Sequence, residues 1–268
     1  MWNPLRKQSL LSEENEAFQI ETYKWLLKNF GGKYFYEDTK LILPTEEFFP
    51  VKNEKPEKVA LHIFELVRKY AGLEDWPCTL KAQETDPNLR VSTYLTINNT
   101  EHKPLGTFSI NENEEAIITY NPRLTSDPIQ MVATFSHELS HYLTSTSVEP
   151  PPGGWDNWEF ATDITATFLG FGVFQANAAF NIQQYTDFES QGWHTSGGGY
   201  LNEAEHSYAL ALFIRLKNIP PETVYPHCDI NIKDYLKKAL SELEEKSHIE
   251  ELLKIQYIEP NPQTEKSV

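Results

Sequence analysis

Cysteine, long apolar runs and basic charge are all scarce in this sequence, and each shortage excludes a class of protein. The 268 residues include 2 cysteines, Cys78 and Cys228, which form no CxxC pair. We interpret them as free thiols, which predicts a reducing, cytoplasmic compartment. No apolar run approaches the ~20 residues that span a bilayer. Residues 1–12 are mixed and polar, so no secretory signal is predicted there.

The charge balance is strongly acidic. A formal net charge of −16 argues against nucleic acid or an anionic membrane surface as a partner. Hydrophobic residues make up 40% of the chain and aromatic residues 13%, so the chain is predicted to fold rather than to stay disordered. Its length allows one large domain or two small ones.

Apolar side chains recur with helical spacing in most of the chain and with a period of two in its middle. The helical spacing predicts helices over residues 12–29, 56–70, 128–144, 158–180, 202–217, 231–246 and 249–255. Strands are predicted at 34–36, 41–43, 91–97, 106–110 and 116–120, the last three as an antiparallel meander. Gly170 and Gly172 interrupt one apolar helix, which indicates a bend or a close approach of another backbone. Together these elements predict an α+β fold.

The predicted helix over residues 128–144 carries the pattern HExxH. Positions i and i+4 lie on one face of a helix, so His137 and His141 would be neighbours there, with Glu138 beside them. Two imidazoles placed in this way suit a tetrahedral zinc with an open position, and the carboxylate suits the deprotonation of a water molecule. The alternative is that both histidines are ordinary core residues.

A catalytic zinc needs a third protein ligand, and two carboxylates on the next predicted helix are candidates. Glu159 and Asp163 are spaced i, i+4 after a loop rich in proline and glycine that permits an antiparallel return. Either Glu159 binds zinc, or Asp163 binds it directly with Glu159 outside. Glu159 is closer in sequence to the histidines, which favours it as the ligand. Its alternative role is that of an ordinary acidic residue in the first turn of a helix.

HExxH followed by ExxxD on the next helix resembles the gluzincin metallopeptidases, the group that includes thermolysin. The resemblance implies three zinc ligands, which are His137, His141 and Glu159. It also implies that Glu138 is the general base and proton shuttle, and that Asp163 holds the free nitrogen of His137.

The resemblance covers about residues 116–170 and implies a zincin-like fold, in which a small antiparallel or mixed sheet packs on the HExxH helix. The strand over residues 116–120 would be the edge strand that receives an extended peptide by backbone pairing. In this interpretation residues 1–89 form an N-terminal extension of helices and strands. Residues 90–258 form the zincin-like domain with its C-terminal helices, and residues 259–268 form a polar tail.

Hydrolysis of an acyl bond also needs a group that stabilises the oxyanion, and candidates lie in or after a glycine-rich loop. Tyr200 is the first, because the glycines before it let the backbone approach a site closely. His194 and His206 are the others, and each of the three has an ordinary loop or helix role as its alternative. Three tryptophans flank the proposed site and would line a substrate cleft or belong to the core: Trp155, Trp158 and Trp193.

The sequence therefore predicts a hydrolase that binds one Zn²⁺ per chain and acts on a peptide or protein substrate. Glu138 would take a proton from water and deliver it to the leaving amine. The alternative, from another class, is a zinc-stabilised binding or regulatory protein with a relict metallopeptidase site. The presence of Glu138 favours the enzyme, because a structural site does not need this carboxylate and usually has a fourth protein ligand. The substrate and the oligomeric state stay open.

Overall fold

Helices dominate the structure, and a small sheet lies among them. The structure, a computed structural model, describes residues 8–50, 54–84, 104–112, 115–186 and 201–259. The α-helices are α1 (Glu13–Leu26), α2 (Pro56–Ala71), α3 (Pro128–Ser145), α4 (Trp158–Ala166), α5 (Gly172–Thr186), α6 (Glu203–Leu216), α7 (Ile230–Glu244) and α8 (His248–Leu252). The strands are β1 (Cys78–Ala82), β2 (Gly106–Ile110) and β3 (Ala116–Tyr120). The predicted helices are present with ends that differ by a few residues, except that the helix predicted at 158–180 is divided.

The three described strands form a mixed sheet in the order β1-β3-β2. β3 pairs antiparallel with β2, as predicted, with Gly106 opposite Tyr120. It also pairs parallel with β1, a strand that the sequence did not predict, with Cys78 opposite Ala116. β3 is therefore the central strand of the described sheet, and its prediction as the edge strand is wrong. The strand predicted at 91–97 lies outside the described residues.

The strand prediction at 34–36 is wrong, because these residues lie at the start of a helical segment, Tyr34–Asp38. The aromatic side chains explain the difference. Phe35 is fully buried and stacks on Phe168 with ring centroids 4.3 Å apart, whereas Tyr34 and Tyr36 are exposed. One buried ring with two exposed neighbours fits both the period of a strand and that of a helix. A run of three residues therefore does not distinguish a strand from a helical turn.

Gly170 divides the helix predicted at 158–180 into α4 and α5. Its φ of 100° lies in the left-handed region that suits glycine. The segment 41–43 contacts this kink: Ile42 donates its N–H to the carbonyl oxygen of Gly170 at 2.9 Å. A Cβ on Gly170 would overlap the carbonyl oxygen of Lys40. The bend and the close approach of another backbone, the two expected reasons for the glycine, are both present. Segment 41–43 pairs with no described strand, so its strand prediction is wrong.

Two clusters of buried apolar side chains form the core. One joins α1 with α6 and α7, and the other joins α2 with α3 and the sheet. The segment at the kink links them, because Phe168 belongs to the first cluster and Leu169 and Phe171 to the second. Residues from the predicted 1–89 extension contribute to both clusters, and the predicted division of the chain into domains stays a prediction.

The α+β architecture is confirmed, and its zincin-like identity stays a prediction. Cys78 and Cys228 are free thiols, as predicted. In the part of the chain that the structure describes, every helix is too short or too polar to cross a bilayer.

Candidate metal centre

α3 presents both histidines of the HExxH pattern on one face. Asp127 caps the helix by accepting the N–H of Gln130 at 3.1 Å, and Pro128 occupies the first turn. The helix packs against α2, α4, α5, β2 and β3, so nearly all of its surface is buried. His137 and His141 have ring centroids 4.8 Å apart and are each 7% exposed, which leaves their polar atoms dependent on protein partners or a bound ion.

α4 brings the carboxylates to these histidines. The loop between α3 and α4 contains Gly153 and Gly154 at φ of 79° and 86°, which lets the chain turn sharply. α4 then packs on α3. Glu159 lies in its first turn and Asp163 one turn later, and both contact His137.

Three atoms of these side chains form a compact triangle: His137 Nε2, His141 Nε2 and Glu159 Oε2. The two nitrogens are 3.1 Å apart, and each lies 3.3 Å from the carboxylate oxygen. Zinc bonds of ~2.0–2.1 Å in a tetrahedron separate the ligand atoms by roughly 3.3 Å. The triangle therefore has the size that a tetrahedral zinc requires. Among the described residues, no other group of three or more His, Cys, Asp or Glu side chains could hold a metal ion.

The Nδ1 atom of each histidine, which is not part of the triangle, contacts a side chain of α4. His137 Nδ1 lies 2.8 Å from Asp163 Oδ1, and His141 Nδ1 lies 3.2 Å from Thr162 Oγ1. A carboxylate at Nδ1 favours the tautomer that carries the proton there, so the Nε2 lone pair of His137 faces the triangle. Of the two arrangements that the sequence left open, the geometry favours the one with Glu159 among the ligand atoms and Asp163 behind a ligand.

The centre concentrates negative charge. Burial alone would lower the pKa of His137, but the hydrogen bonds with Asp163 and Glu159 outweigh it and raise that pKa well above its usual value. Burial lowers the pKa of His141. Burial would raise the pKa of Glu159, but its hydrogen bonds with both histidines hold it well below the usual range. The two Nε2 atoms lie 3.1 Å apart, within hydrogen-bond distance, so a proton shared between them would give way to a bound cation, and a divalent cation fits this donor set.

Glu138 is held by β2 as well as by its own helix. It is 6% exposed, and burial raises its pKa to about 7, while the charge of His137 and the backbone N–H of Phe108 act in the opposite direction. Gly106 lets β2 approach this carboxylate. A Cβ there would lie 2.9 Å from Glu138 Oε1 and 2.6 Å from Thr134 Cγ2.

The triangle reaches solvent through the Glu159 side chain. The Glu159 side chain is 46% exposed, whereas those of the two histidines are 8% and 9% exposed. Trp158 packs edge-on against His141 with centroids 4.8 Å apart and donates its indole N–H to Thr144. Trp155 packs on Trp158 and is half exposed. Trp158 therefore flanks the centre, as expected from the sequence, and Trp155 contacts Trp158.

Of the other predicted site residues, three lie outside the described residues and one, His206, is described. Tyr200, His194 and Trp193 lie outside the described residues, so the oxyanion role of Tyr200 stays a prediction. His206 is described and almost fully buried, and its ring lies behind Asp163, with Nε2 3.6 Å from Oδ2. This position separates His206 from the ligand atoms.

Two contacts at the centre were not predicted from the sequence. Thr162 supports His141, yet a threonine beside Asp163 gives no signal that distinguishes it from other helical threonines. Phe108 acts on Glu138 through its backbone N–H, a group that nearly every residue type provides, so the residue name carries no information about this role.

Comparisons of the chain with protein-family models, with curated proteins and with solved structures found no match. The functional assignment therefore rests on the sequence pattern and on the geometry of the metal centre.

Proposed function

We propose that the protein is a zinc-dependent hydrolase of the gluzincin type and that it cleaves peptide bonds. The observation that carries the proposal is the triangle of His137, His141 and Glu159 ligand atoms, which has the dimensions of a tetrahedral zinc site. Three protein ligands leave one position for water or substrate, which is typical of catalytic zinc. The partly exposed Glu159 side chain is compatible with access of water to that position.

The positions of the side chains support the following roles. Zinc, when bound, would supply a Lewis acid and lower the pKa of a water molecule at the centre. Glu138 would accept a proton from a water molecule at the centre and pass it to the leaving amine. Asp163 keeps His137 in the tautomer that can bind a metal.

We propose that the substrate backbone pairs with β2 rather than with β3. β3 has a neighbour on each side, whereas β2 has one neighbour among the described strands. Phe108 in β2 places its backbone N–H at Glu138, so this strand borders the centre. An extended peptide added along β2 would run past the ligand triangle, and backbone pairing would hold it with little dependence on side chains.

The proposed substrate is a peptide or protein in a reducing compartment. The free thiols of Cys78 and Cys228 favour such a compartment, and we propose the cytoplasm. The net charge of −16 makes nucleic acid and anionic membrane unfavourable partners.

The substitution Glu138→Gln tests the proposal. It keeps the shape of the side chain but removes the base, so we expect zinc to remain at wild-type stoichiometry and peptide hydrolysis to fall by ~10²–10⁴-fold. Turnover is measured with a library of quenched fluorescent peptides, and Glu65→Gln, the same change at an exposed position away from the centre, serves as the control.

Each outcome is informative. Full turnover by Glu138→Gln would contradict the role of this carboxylate. Zinc bound by the wild type without hydrolysis of any peptide would favour the alternative, a zinc-stabilised binding or regulatory protein.

A further inference from the structure

The Asp163 carboxylate is contacted on both of its oxygens. Oδ1 faces His137, while Oδ2 accepts the backbone N–H of Leu201 at 2.9 Å. The Nε2 atom of His206 lies 3.6 Å from the same Oδ2, and both side chains are 1% exposed. This distance is too long for a full hydrogen bond, but both groups are shielded from water, which strengthens their electrostatic interaction. A buried row therefore runs from His206 through Asp163 to His137.

The contacts of His206 determine which of its nitrogens carries the proton. Burial lowers its pKa, which favours the neutral ring, although the nearby Asp163 carboxylate acts against this. A neutral ring has one N–H and one lone pair, and the lone pair would be repelled by a carboxylate. The proton therefore belongs on Nε2, facing Asp163, and Nδ1 carries the lone pair.

A histidine at position 206 leaves one buried polar atom unsatisfied. Its Nδ1 atom is buried and has no hydrogen-bond partner in the part of the chain that the structure describes. An unsatisfied buried acceptor destabilises the fold, whereas an apolar side chain of similar volume has no such atom to satisfy. Packing therefore does not explain the histidine, and its contact with Asp163 offers a reason for it.

Helix α6 holds the His206 ring in place. The neighbouring Glu205 accepts the backbone N–H of Asn202 at 2.8 Å and closes the helix N-terminus as a capping box. Helix α1 adds two contacts, from Asn15 to the Glu205 side chain and from Gln19 to the Glu205 carbonyl oxygen. The start of α6, and with it His206, is thus fixed against the rest of the core.

We propose that His206 is a positioning residue of the metal centre, which holds the Asp163 carboxylate and through it the ring of His137. The inference rests on the proposed metal site. His206 touches neither the ligand atoms nor a substrate. Its Nε2–H is directed at Asp163 Oδ2 and orients that carboxylate, so that His137 presents Nε2 to the metal.

Zinc affinity tests the proposal, measured by competition with a chromophoric chelator on the full-length protein. His206→Leu removes the N–H together with the unsatisfied Nδ1. We expect its zinc affinity to fall by ~10-fold, at the lower end of the range for groups that support metal ligands, while its thermal stability stays equal to that of the wild type or rises. His206→Gln places an amide N–H near the Nε2 position, so we expect it to restore most of the affinity.

Thr165→Val is the matched control. Thr165 is buried on α4, and its hydroxyl bonds to Ala161 rather than to the centre. We expect this variant to lose stability without any change in zinc affinity. If His206→Leu does not fold, His206→Asn takes its place, because the shorter amide does not reach Asp163 and should bind zinc more weakly than His206→Gln.

The outcomes separate this inference from the proposed function. Equal zinc affinity in the wild type, His206→Leu and His206→Gln, with zinc lost from His137→Ala, would overturn the role of His206 alone. A wild-type protein that does not bind zinc would overturn the metal site and this inference together.

Discussion

At the scale of single residues, the centre depends on side chains that hold the imidazole rings from behind. Asp163 contacts the Nδ1 atom of His137, and Thr162 contacts that of His141. Each contact restricts one ring, so the two Nε2 atoms face the same point beside Glu159. Such preorganisation reduces the conformational entropy that a metal ion must overcome on binding.

Asp163→Asn should therefore weaken metal binding without removing a ligand. The amide still accepts a hydrogen bond at its oxygen, but it loses the charge that favours the metal-binding tautomer of His137. We expect zinc affinity to fall by ~10–100-fold, measured by chelator competition. A variant with wild-type affinity would contradict the supporting role of Asp163.

Gly106→Ala should impair catalysis but not metal binding. The added Cβ would lie 2.9 Å from Glu138 Oε1, so the carboxylate or β2 must move, while the ligand atoms are untouched. We expect peptide hydrolysis to fall by ~10²-fold, because misplacement of a reacting group by about 1 Å has this effect. The control is Gly31→Ala, where the added Cβ meets neighbours at ordinary contact distances of 3.5 Å or more. Equal loss of activity in both variants would contradict the explanation.

The ligand pair was predictable from residues alone, because His137 and His141 are related by helical spacing within one element. Glu159 and Asp163 were predictable as candidates for the same reason, but the choice between them needed the packing of α4 on α3. The contacts of Phe108 and Leu201 come from distant parts of the chain through backbone atoms, and no residue pattern marks them.

At the scale of elements, local signals predicted the helices well and the sheet in part. α3 and α6 carry strong caps and long apolar surfaces, so their sequence and packing agree. β1 has the sequence CTLKA with little burial, and its pairing with β3 is parallel and distant in sequence. Neither a turn nor an alternating pattern in the sequence predicts such a strand. Without β1, β3 was predicted to be an edge strand.

Gly170→Ala should destabilise the fold at the junction of α4 and α5. The residue has φ of 100°, and a Cβ would overlap the backbone of Lys40, which cannot move as a side chain can. We expect a loss of at least ~1–2 kcal/mol of unfolding free energy from the backbone conformation alone, measured by urea denaturation.

Gly172→Ala is the comparison for this prediction. Gly172 has a helical φ of −58°, and its added Cβ would meet the side chains of Thr167 and Leu210, which can adjust. A larger loss of stability at Gly172 than at Gly170 would contradict the account of the kink.

At the scale of the whole molecule, α1 is tied to the C-terminal helices through Glu16. This carboxylate accepts hydrogen bonds from Tyr208 at 3.0 Å and from Lys246 and faces His248 at 2.9 Å. Burial would raise its pKa, but the hydrogen bonds outweigh burial, and the pKa of Glu16 is lowered. The ionised form is therefore the one that stabilises the fold.

Glu16→Gln should lower stability most at neutral pH. We expect a loss of roughly 1.5–3 kcal/mol, the range for hydrogen bonds to a charged group. A lowered pKa contributes stability that is present above the ordinary value of 4.5 and disappears as the pH falls through the lower value in the folded protein. Urea titrations from pH 7 to pH 3 should thus show the wild type and the variant converging in acid. A difference that grows in acid would contradict this account.

The central claim is that His137, His141 and Glu159 hold one zinc ion, and metal content tests it most directly. The measurement is elemental analysis of protein purified without added metal and again after zinc titration and removal of excess. The variants are His137→Ala and His141→Ala, with His227→Ala as a histidine control outside the triangle. The account predicts about one zinc per chain in the wild type and in His227→Ala, and loss of that zinc in the other two. Full zinc in His137→Ala and His141→Ala, or a wild type that takes up no zinc on titration, would contradict it.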